Sequence, residues 1–146
     1  MKLLTMLAFA TLCTLCSTVA RAADRSYTIG TVWDITYIQT EPGHFDDYLD
    51  NLAANWQMMM EAQKKDGTIL SYKIIASSKA NPQDWDLMLM VEMPNYASLD
   101  KGPAYFDALM AKVLQSSREK AAAASKDRGK LRTVIGSKLG QELKFN

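Results

Sequence analysis

Apolar and polar residues alternate near the start of the chain, over residues 27–38. The odd-numbered positions hold Tyr27, Ile29, Thr31, Trp33, Ile35 and Tyr37. A period of two with β-branched and aromatic side chains is typical of a strand. The even-numbered positions are only partly polar, because they include Val32 and Ile38. The turn-forming sequence Glu-Pro-Gly at 41–43 ends the predicted strand.

Residues 45–65 have the pattern of an amphipathic helix. Apolar side chains recur every three or four residues, at Phe45, Leu49, Leu52, Trp56 and Met59 or Met60. The first turn is acidic and the last turn is basic, which is the arrangement that the helix dipole favours. Gly67 follows at a position suited to a left-handed C-terminal cap.

Two short alternating segments, 69–77 and 85–93, predict two further strands. The connection between them, 78–84, is rich in turn-forming residues and too short for a crossover helix. The two strands are therefore expected to form an antiparallel hairpin.

The C-terminal third predicts one helical turn at 96–100 and a second helix from Pro103, with helical propensity continuing towards Gly129. Both 131–135 and 139–145 are strand candidates, and we favour a last strand near 141–145. The resulting order is β-α-β-β-α-β. It indicates an α+β fold in which a ferredoxin-like antiparallel sheet has its helices on one face.

Both faces of the predicted sheet contain large apolar side chains, although helices can cover only one face. The third predicted strand, 85–93, gives the uncovered face one of its two alternating sets of side chains. The even-numbered set includes Met88 and Met90, and the odd-numbered set is Trp85, Leu87, Leu89 and Val91. An exposed patch of this kind marks an association surface. We expect a homodimer, a dimeric α+β barrel, in which two sheets pack together. The alternative is a monomer whose C-terminal segment covers the patch.

Residues 1–22 have the pattern of a secretory signal peptide, with Lys2 before an apolar run and Ala20-Arg21-Ala22 at the end. The apolar run is too short and too rich in Ser and Thr for a membrane anchor. A lipoprotein signal needs a small residue before its cysteine, whereas leucines precede Cys13 and Cys16. Cleavage near Ala22 leaves 23–146 as a single α+β domain without cysteine. We expect it to be soluble, periplasmic or secreted, and without stable membrane insertion.

The charges are almost balanced, with 17 Lys+Arg against 16 Asp+Glu, which argues against a nucleic-acid partner. The basic residues are concentrated after residue 111. This basic C-terminal segment is either a solvated face or a surface for an anionic partner.

The strand that ends in Glu41-Pro42-Gly43, the amphipathic helix and the strand start Trp85-Asp86 resemble the dimeric α+β barrel superfamily. More narrowly, they resemble small exported bacterial proteins of that superfamily with no assigned activity. The superfamily includes antibiotic-biosynthesis-type monooxygenases, haem-degrading enzymes and muconolactone isomerase-like enzymes, so this resemblance implies little about the reaction. Its haem-degrading members have an axial histidine on the second helix, where this sequence has none.

His44 is the only histidine, and it lies at a helix start, where it can cap the backbone or act as an acid or base. Asn55 and Tyr72 are the other catalytic candidates. The candidate ligand-binding residues are Trp33, Trp56, Tyr72 and Trp85, which could line a cavity between the sheet and the first helix. Plain packing is the alternative for these aromatic residues.

No metal site and no cofactor are expected. One histidine without cysteine supplies too few metal ligands, and the sulfur atoms of Met58, Met59 and Met60 point in different directions on a helix. The leading functional hypothesis is the binding of a small apolar or aromatic molecule between the first helix and the sheet, with catalysis unproven. One alternative is a cofactor-independent monooxygenase or isomerase. The other is a non-catalytic interaction protein that uses its basic C-terminal segment.

Overall fold

Four strands form one antiparallel sheet in the computed structural model, which describes residues 25–146. They are β1 (Tyr27–Thr40), β2 (Ser71–Ala76), β3 (Leu87–Met93) and β4 (Arg132–Phe145). Their order across the sheet is β2-β3-β1-β4, which is consistent with a ferredoxin-like fold. The predicted α+β class and the hairpin of β2 and β3 are confirmed. The predicted signal peptide lies outside the described residues.

The first helix, residues 45–65, is continuous but changes its geometry in the middle. It consists of α1 (Phe45–Asn51), a π-helical segment (Leu52–Gln57) and α2 (Met58–Lys65). The turn before it has Gly43 at φ 82°, and the turn after it has Gly67 at φ 80°. Both values lie in the left-handed region, where glycine has no Cβ to clash. The predicted cap at Gly67 is therefore confirmed.

The predicted second helix is divided in two. After a 3-10 turn (Tyr96–Asp100) come α3 (Pro103–Val113) and α4 (Arg118–Arg128). Gln115 breaks the helix with φ 48°, and the Ser117 side chain then accepts a hydrogen bond from the Lys120 N–H to cap α4. The last strand is also longer than the predicted 141–145, because β4 pairs with β1 along nearly its whole length. Two register shifts interrupt this pairing, one between Ile29 and Val32 and one between Tyr37 and Ile38.

From Val32 to Thr40, the even-numbered residues of β1 face the helices. Val32 and Ile38 are fully buried there, and their partners across the β1–β3 ladder are Met93 and Leu87. Ile38 and Leu87 pack with Tyr48 and other side chains of the first helix. The helix-side face of the sheet is therefore the core.

The opposite face of the sheet, here called the open face, is covered by no helix of the described chain. It carries large apolar side chains at Trp33, Ile35, Tyr37, Ile75, Met88 and Met90. At one end of this face, Glu92 accepts hydrogen bonds from Ser71 (2.6 Å) and Thr31 (2.9 Å). The hydrogen bond from Ser71 is the main reason why the pKa of Glu92 is lowered.

Asp86 ties the end of β1 to the start of β3. Its buried carboxylate accepts hydrogen bonds from the Thr40 backbone N–H (2.9 Å) and the Thr40 hydroxyl (2.5 Å), and Lys79 Nζ lies 3.0 Å away. Burial opposes ionisation of Asp86, but the hydrogen bonds from Thr40 and Lys79 outweigh it and lower its pKa. Within residues 25–146, no helix has the length and apolar character needed to cross a bilayer.

Candidate functional site

A cleft lies between the first helix and the sheet, and it contains two adjoining cavities of about 420 Å³ each. Thr36, Trp56 and Leu89 line both of them. We call them the Asp34 cavity and the Arg132 cavity after the charged residue that distinguishes each. Most other lining side chains are apolar, which is the usual composition of a small-molecule site.

The π-helical segment of the first helix forms part of the cleft wall. Leu52, Asn55 and Trp56 all belong to this segment, and all three line the Arg132 cavity. A π-helical turn holds one more residue than an α-turn and is frequent at functional sites. The Asn55 side-chain amide donates to the Asn51 carbonyl oxygen at 3.0 Å, one turn earlier in the same helix.

Trp56 and Tyr72 contact each other on the helix side of the sheet. Their rings meet edge to face, with centroids 5.2 Å apart and an interplanar angle of 88°. The Tyr72 hydroxyl donates a hydrogen bond to Glu61 at 2.5 Å, which raises the pKa of Tyr72. Tyr72 therefore stays a phenol near neutral pH, and its hydroxyl proton is directed towards Glu61.

Asp34 is the acidic residue of the cleft, and the sequence did not single it out. It lies on β1 between Val32 and Thr36 in the helix-facing set and lines the Asp34 cavity. Burial raises the pKa of Asp34, and within residues 25–146 its carboxylate has no hydrogen-bond or salt-bridge partner. A desolvated carboxyl group in a cavity can hold or accept a proton.

A hydrogen-bond network includes Thr68, one of the residues that line the Asp34 cavity. The Tyr105 hydroxyl of α3 donates to Asp66 at 2.7 Å and lies 3.0 Å from the Thr68 hydroxyl. Thr68 lines the cavity, and its backbone N–H donates to Asp66 at 3.0 Å. These contacts join α3 to the turn that follows the first helix.

The Arg132 cavity is bounded by α4 and by the start of β4. Arg128 is the last residue of α4, Arg132 is the first residue of β4, and both line the cavity. The Arg132 guanidinium carbon lies 6.0 Å from the centroid of the Tyr48 ring. Arg132 Nε and Asn51 Oδ1 are both buried without a hydrogen-bond partner in the described part of the chain. This end of the cleft therefore offers positive charge and polar atoms whose hydrogen bonds are not made.

The candidate residues are divided between the two faces of the sheet. Trp56, Tyr72 and Asn55 are on the helix side, whereas Trp33 is on the open face with Lys73 Nζ 5.2 Å from its ring centroid. Trp85 contacts Tyr37, a residue of the open face, with ring centroids 5.8 Å apart. The three tryptophans are thus not brought together, because the even-numbered residues of β1 form the core.

His44 lies at the exposed start of the first helix. Its side chain makes no cap hydrogen bond, and its Nδ1 lies 2.8 Å from the Asp47 carboxylate. It is not among the residues that line either described cavity. The structure thus places it on the surface.

The three consecutive methionines point in different directions. Met59 lines the Arg132 cavity, Met60 lines the Asp34 cavity, and Met58 is exposed. Residues 25–146 contain no cluster of three or more His, Cys, Asp or Glu side chains that could hold a metal ion.

No family model matches the chain. No curated protein matches it. Among solved structures, it is similar to the crystal structure of HapK from Hahella chejuensis, with a TM-score of 0.42 and 14% sequence identity. The superposition covers 76% of this chain and 91% of the HapK chain.

Proposed function

We propose that the protein binds a small, largely apolar or aromatic molecule in the cleft between the first helix and the sheet. The observation that carries this proposal is the pair of adjoining cavities of about 420 Å³ each, which share Trp56 and Leu89 as walls. Together they fall in the size range of small-molecule sites. Trp56 supplies a flat aromatic wall that Tyr72 holds in place from one side.

A neutral fluorescent probe tests this proposal. N-phenyl-1-naphthylamine brightens when it leaves water, so its titration with the purified protein is expected to give a saturable signal. Met59→Trp places a larger side chain in the Arg132 cavity, and we expect it to weaken binding at least about tenfold because it takes up ligand space. Met58→Trp is the matched control, since Met58 is 44% exposed and lies one residue away. No saturable binding, or equal loss in both variants, contradicts the proposal.

We also propose that two copies associate through their open faces and form a dimeric α+β barrel. The apolar side chains on this face support association, and the hydrogen bonds from Ser71 and Thr31 to Glu92 lower the cost of covering that carboxylate. Covering apolar surface on the order of 400 Å² contributes about 10 kcal/mol at ~25 cal/mol per Å². That gain is of the same size as the cost of association, about 4–15 kcal/mol.

Neighbouring residues of β2 provide a matched test of the dimer. Ile74 and Ile75 are 39% and 40% exposed, but Ile74 is on the helix side and Ile75 on the open face. In sedimentation velocity at micromolar concentration, we expect a dimer for the unmodified protein and for Ile74→Glu, and a monomer for Ile75→Glu. A monomer in all three cases refutes the dimer and leaves the cleft proposal standing.

Export is a further proposal, supported by the signal pattern of residues 1–22. Expression of the full sequence in a bacterium with a periplasm is expected to yield a periplasmic product that begins near residue 23. Intact-mass measurement of the purified product checks this. A full-length product that stays in the cytoplasm contradicts it.

A further inference from the structure

The positive end of the cleft has no acidic partner of its own. Arg128 and Arg132 both line the Arg132 cavity, and no salt bridge between residues of the described range 25–146 involves either of them. Two other basic residues of the same region are paired, Arg118 with Asp107 and Lys130 with Asp127. The two arginines thus bring uncompensated positive charge to the wall of a largely apolar cavity.

Hydrogen bonding at this end is incomplete as well. Arg132 Nε is a buried donor without an acceptor, and Asn51 Oδ1 is a buried acceptor without a donor. Leaving such a group unpaired costs about 1–3 kcal/mol, and more when the group is charged. An anionic oxygen in the cavity supplies the acceptor that Arg132 lacks, and guanidinium groups match carboxylates in shape and charge.

The rest of the cleft restricts the ligand to one anionic group. The wall of the Arg132 cavity is mostly apolar, with Leu52, Met59 and Leu89 among its residues. At the other end, Asp34 presents a carboxyl group in the adjoining cavity. A second anion there would face a like charge in a partly desolvated site, which is unfavourable.

We infer that the cleft binds an organic monocarboxylate with an apolar or aromatic body, and that Arg132, assisted by Arg128, holds the carboxylate. This inference rests on the proposed function, since it names the chemical class of the ligand of the same cleft. The body of the ligand lies along Trp56 and Leu89, and its uncharged end points towards Asp34. The site distinguishes an acid from its ester through the arginines, and a monoacid from a diacid through Asp34.

Calorimetric titration of the purified protein with 2-naphthoate and with its neutral methyl ester is the test. The two probes share one aromatic body, and only the acid can pair with the arginines. At pH 7 and low ionic strength, we expect the acid to bind at least about tenfold more tightly than the ester, which is the range of a charge-assisted hydrogen bond. Naphthalene-2,6-dicarboxylate is expected to bind more weakly than 2-naphthoate, and Asp34→Asn is expected to reduce that difference.

Variants locate the preference for the acid. Arg132→Met and Arg128→Met are expected to weaken binding of the acid and to leave binding of the ester within about twofold. Lys126→Met is the control, because it removes the same charge from α4 at an exposed position. The acid–ester comparison on the unmodified protein remains decisive if Arg132→Met does not fold.

Each outcome has one meaning. If the acid and the ester bind equally, or if Lys126→Met weakens acid binding as much as the arginine variants do, the inference is refuted and the proposed ligand site stands. If neither naphthalene probe nor N-phenyl-1-naphthylamine binds at millimolar concentration, the inference and the proposed function both fail. Stronger binding of the ester than of the acid also overturns the inference.

Discussion

Replacement of Asp86 by alanine probes how the sheet is held together at the end of β1. In the folded protein, the Thr40 backbone N–H and hydroxyl both donate to the Asp86 carboxylate, and Asp86 is only 6% exposed. Asp86→Ala therefore leaves two buried donors without an acceptor. At about 1–3 kcal/mol for each donor, the expected loss of unfolding free energy is about 2–6 kcal/mol. A domain of this size has about 5–15 kcal/mol in total, so the loss is large.

Urea unfolding followed by circular dichroism measures this loss. With a slope of about 2 kcal/mol per molar urea, a loss of about 4 kcal/mol lowers the midpoint by about 2 M. Lys79→Met is the matched control, because it removes the other charge of the Lys79–Asp86 ion pair and leaves the hydrogen bonds from Thr40 in place. The Lys79 side chain is 33% exposed, so water partly solvates its charge. For such a partly solvated ion pair, we expect a loss of at most about 1 kcal/mol.

The pH dependence gives an independent check. The pKa of Asp86 is lowered on folding, so the stabilisation by its ionised carboxylate is present above the ordinary pKa of aspartate and is lost as the pH falls through the lowered pKa. The difference between the unmodified protein and Asp86→Ala is therefore expected to shrink in acid. A loss below about 1 kcal/mol at pH 7, or an equal loss in Lys79→Met, refutes the reasoning.

Substitutions at two more positions test the Asp34 cavity and the end of the first helix. Burial raises the pKa of Asp34, so its ionisation destabilises the fold as the pH rises above the ordinary value of 3.8. At pH 7, Asp34→Asn is therefore expected to unfold at a higher urea concentration than the unmodified protein, and near pH 3 this advantage is expected to disappear. A lower urea midpoint for Asp34→Asn at pH 7 contradicts the placement of Asp34. Gly67 has φ 80°, so Gly67→Ala is expected to cost about 1 kcal/mol in urea unfolding and Gly67→Asn less, because asparagine tolerates the left-handed region. Equal losses in the two Gly67 variants contradict the role given to backbone conformation.

Local patterns were enough for most of the fold. The alternation in 27–38, the apolar stripe of 45–65 and the turn-rich connection 78–84 each express a short-range preference, and the structure follows all three. The division of the second helix had a weaker signal. Ser117 is a good N-terminal cap residue, yet the Ala-rich segment that follows it favoured one continuous helix. The break at Gln115 could not be predicted, because glutamine has no special preference for the left-handed conformation that it adopts there.

The site was less predictable than the fold, because it depends on which face of the sheet the helices cover. Both faces of β1 carry large apolar residues, so hydrophobicity alone left open whether Trp33 or Val32 is in the core. Once Val32 is buried, the period of two brings Asp34 to the helix side and takes Trp33 away from it. Arg132 reaches the cleft only because β4 returns beside β1, a contact between distant parts of the sequence.

The wide turn at Leu52–Gln57 also affects how the first helix can change in length. Adding or removing one residue in an ordinary α-helix rotates everything beyond that point by about 100° and would turn Met60 and Gln63 away from the Asp34 cavity. A π-helical turn already contains the extra residue, so deleting one residue there returns the helix to regular α-geometry without rotating its second half. A shortened homologue or an engineered deletion at this turn can therefore keep the rest of the wall in place while exchanging the side chains around Trp56.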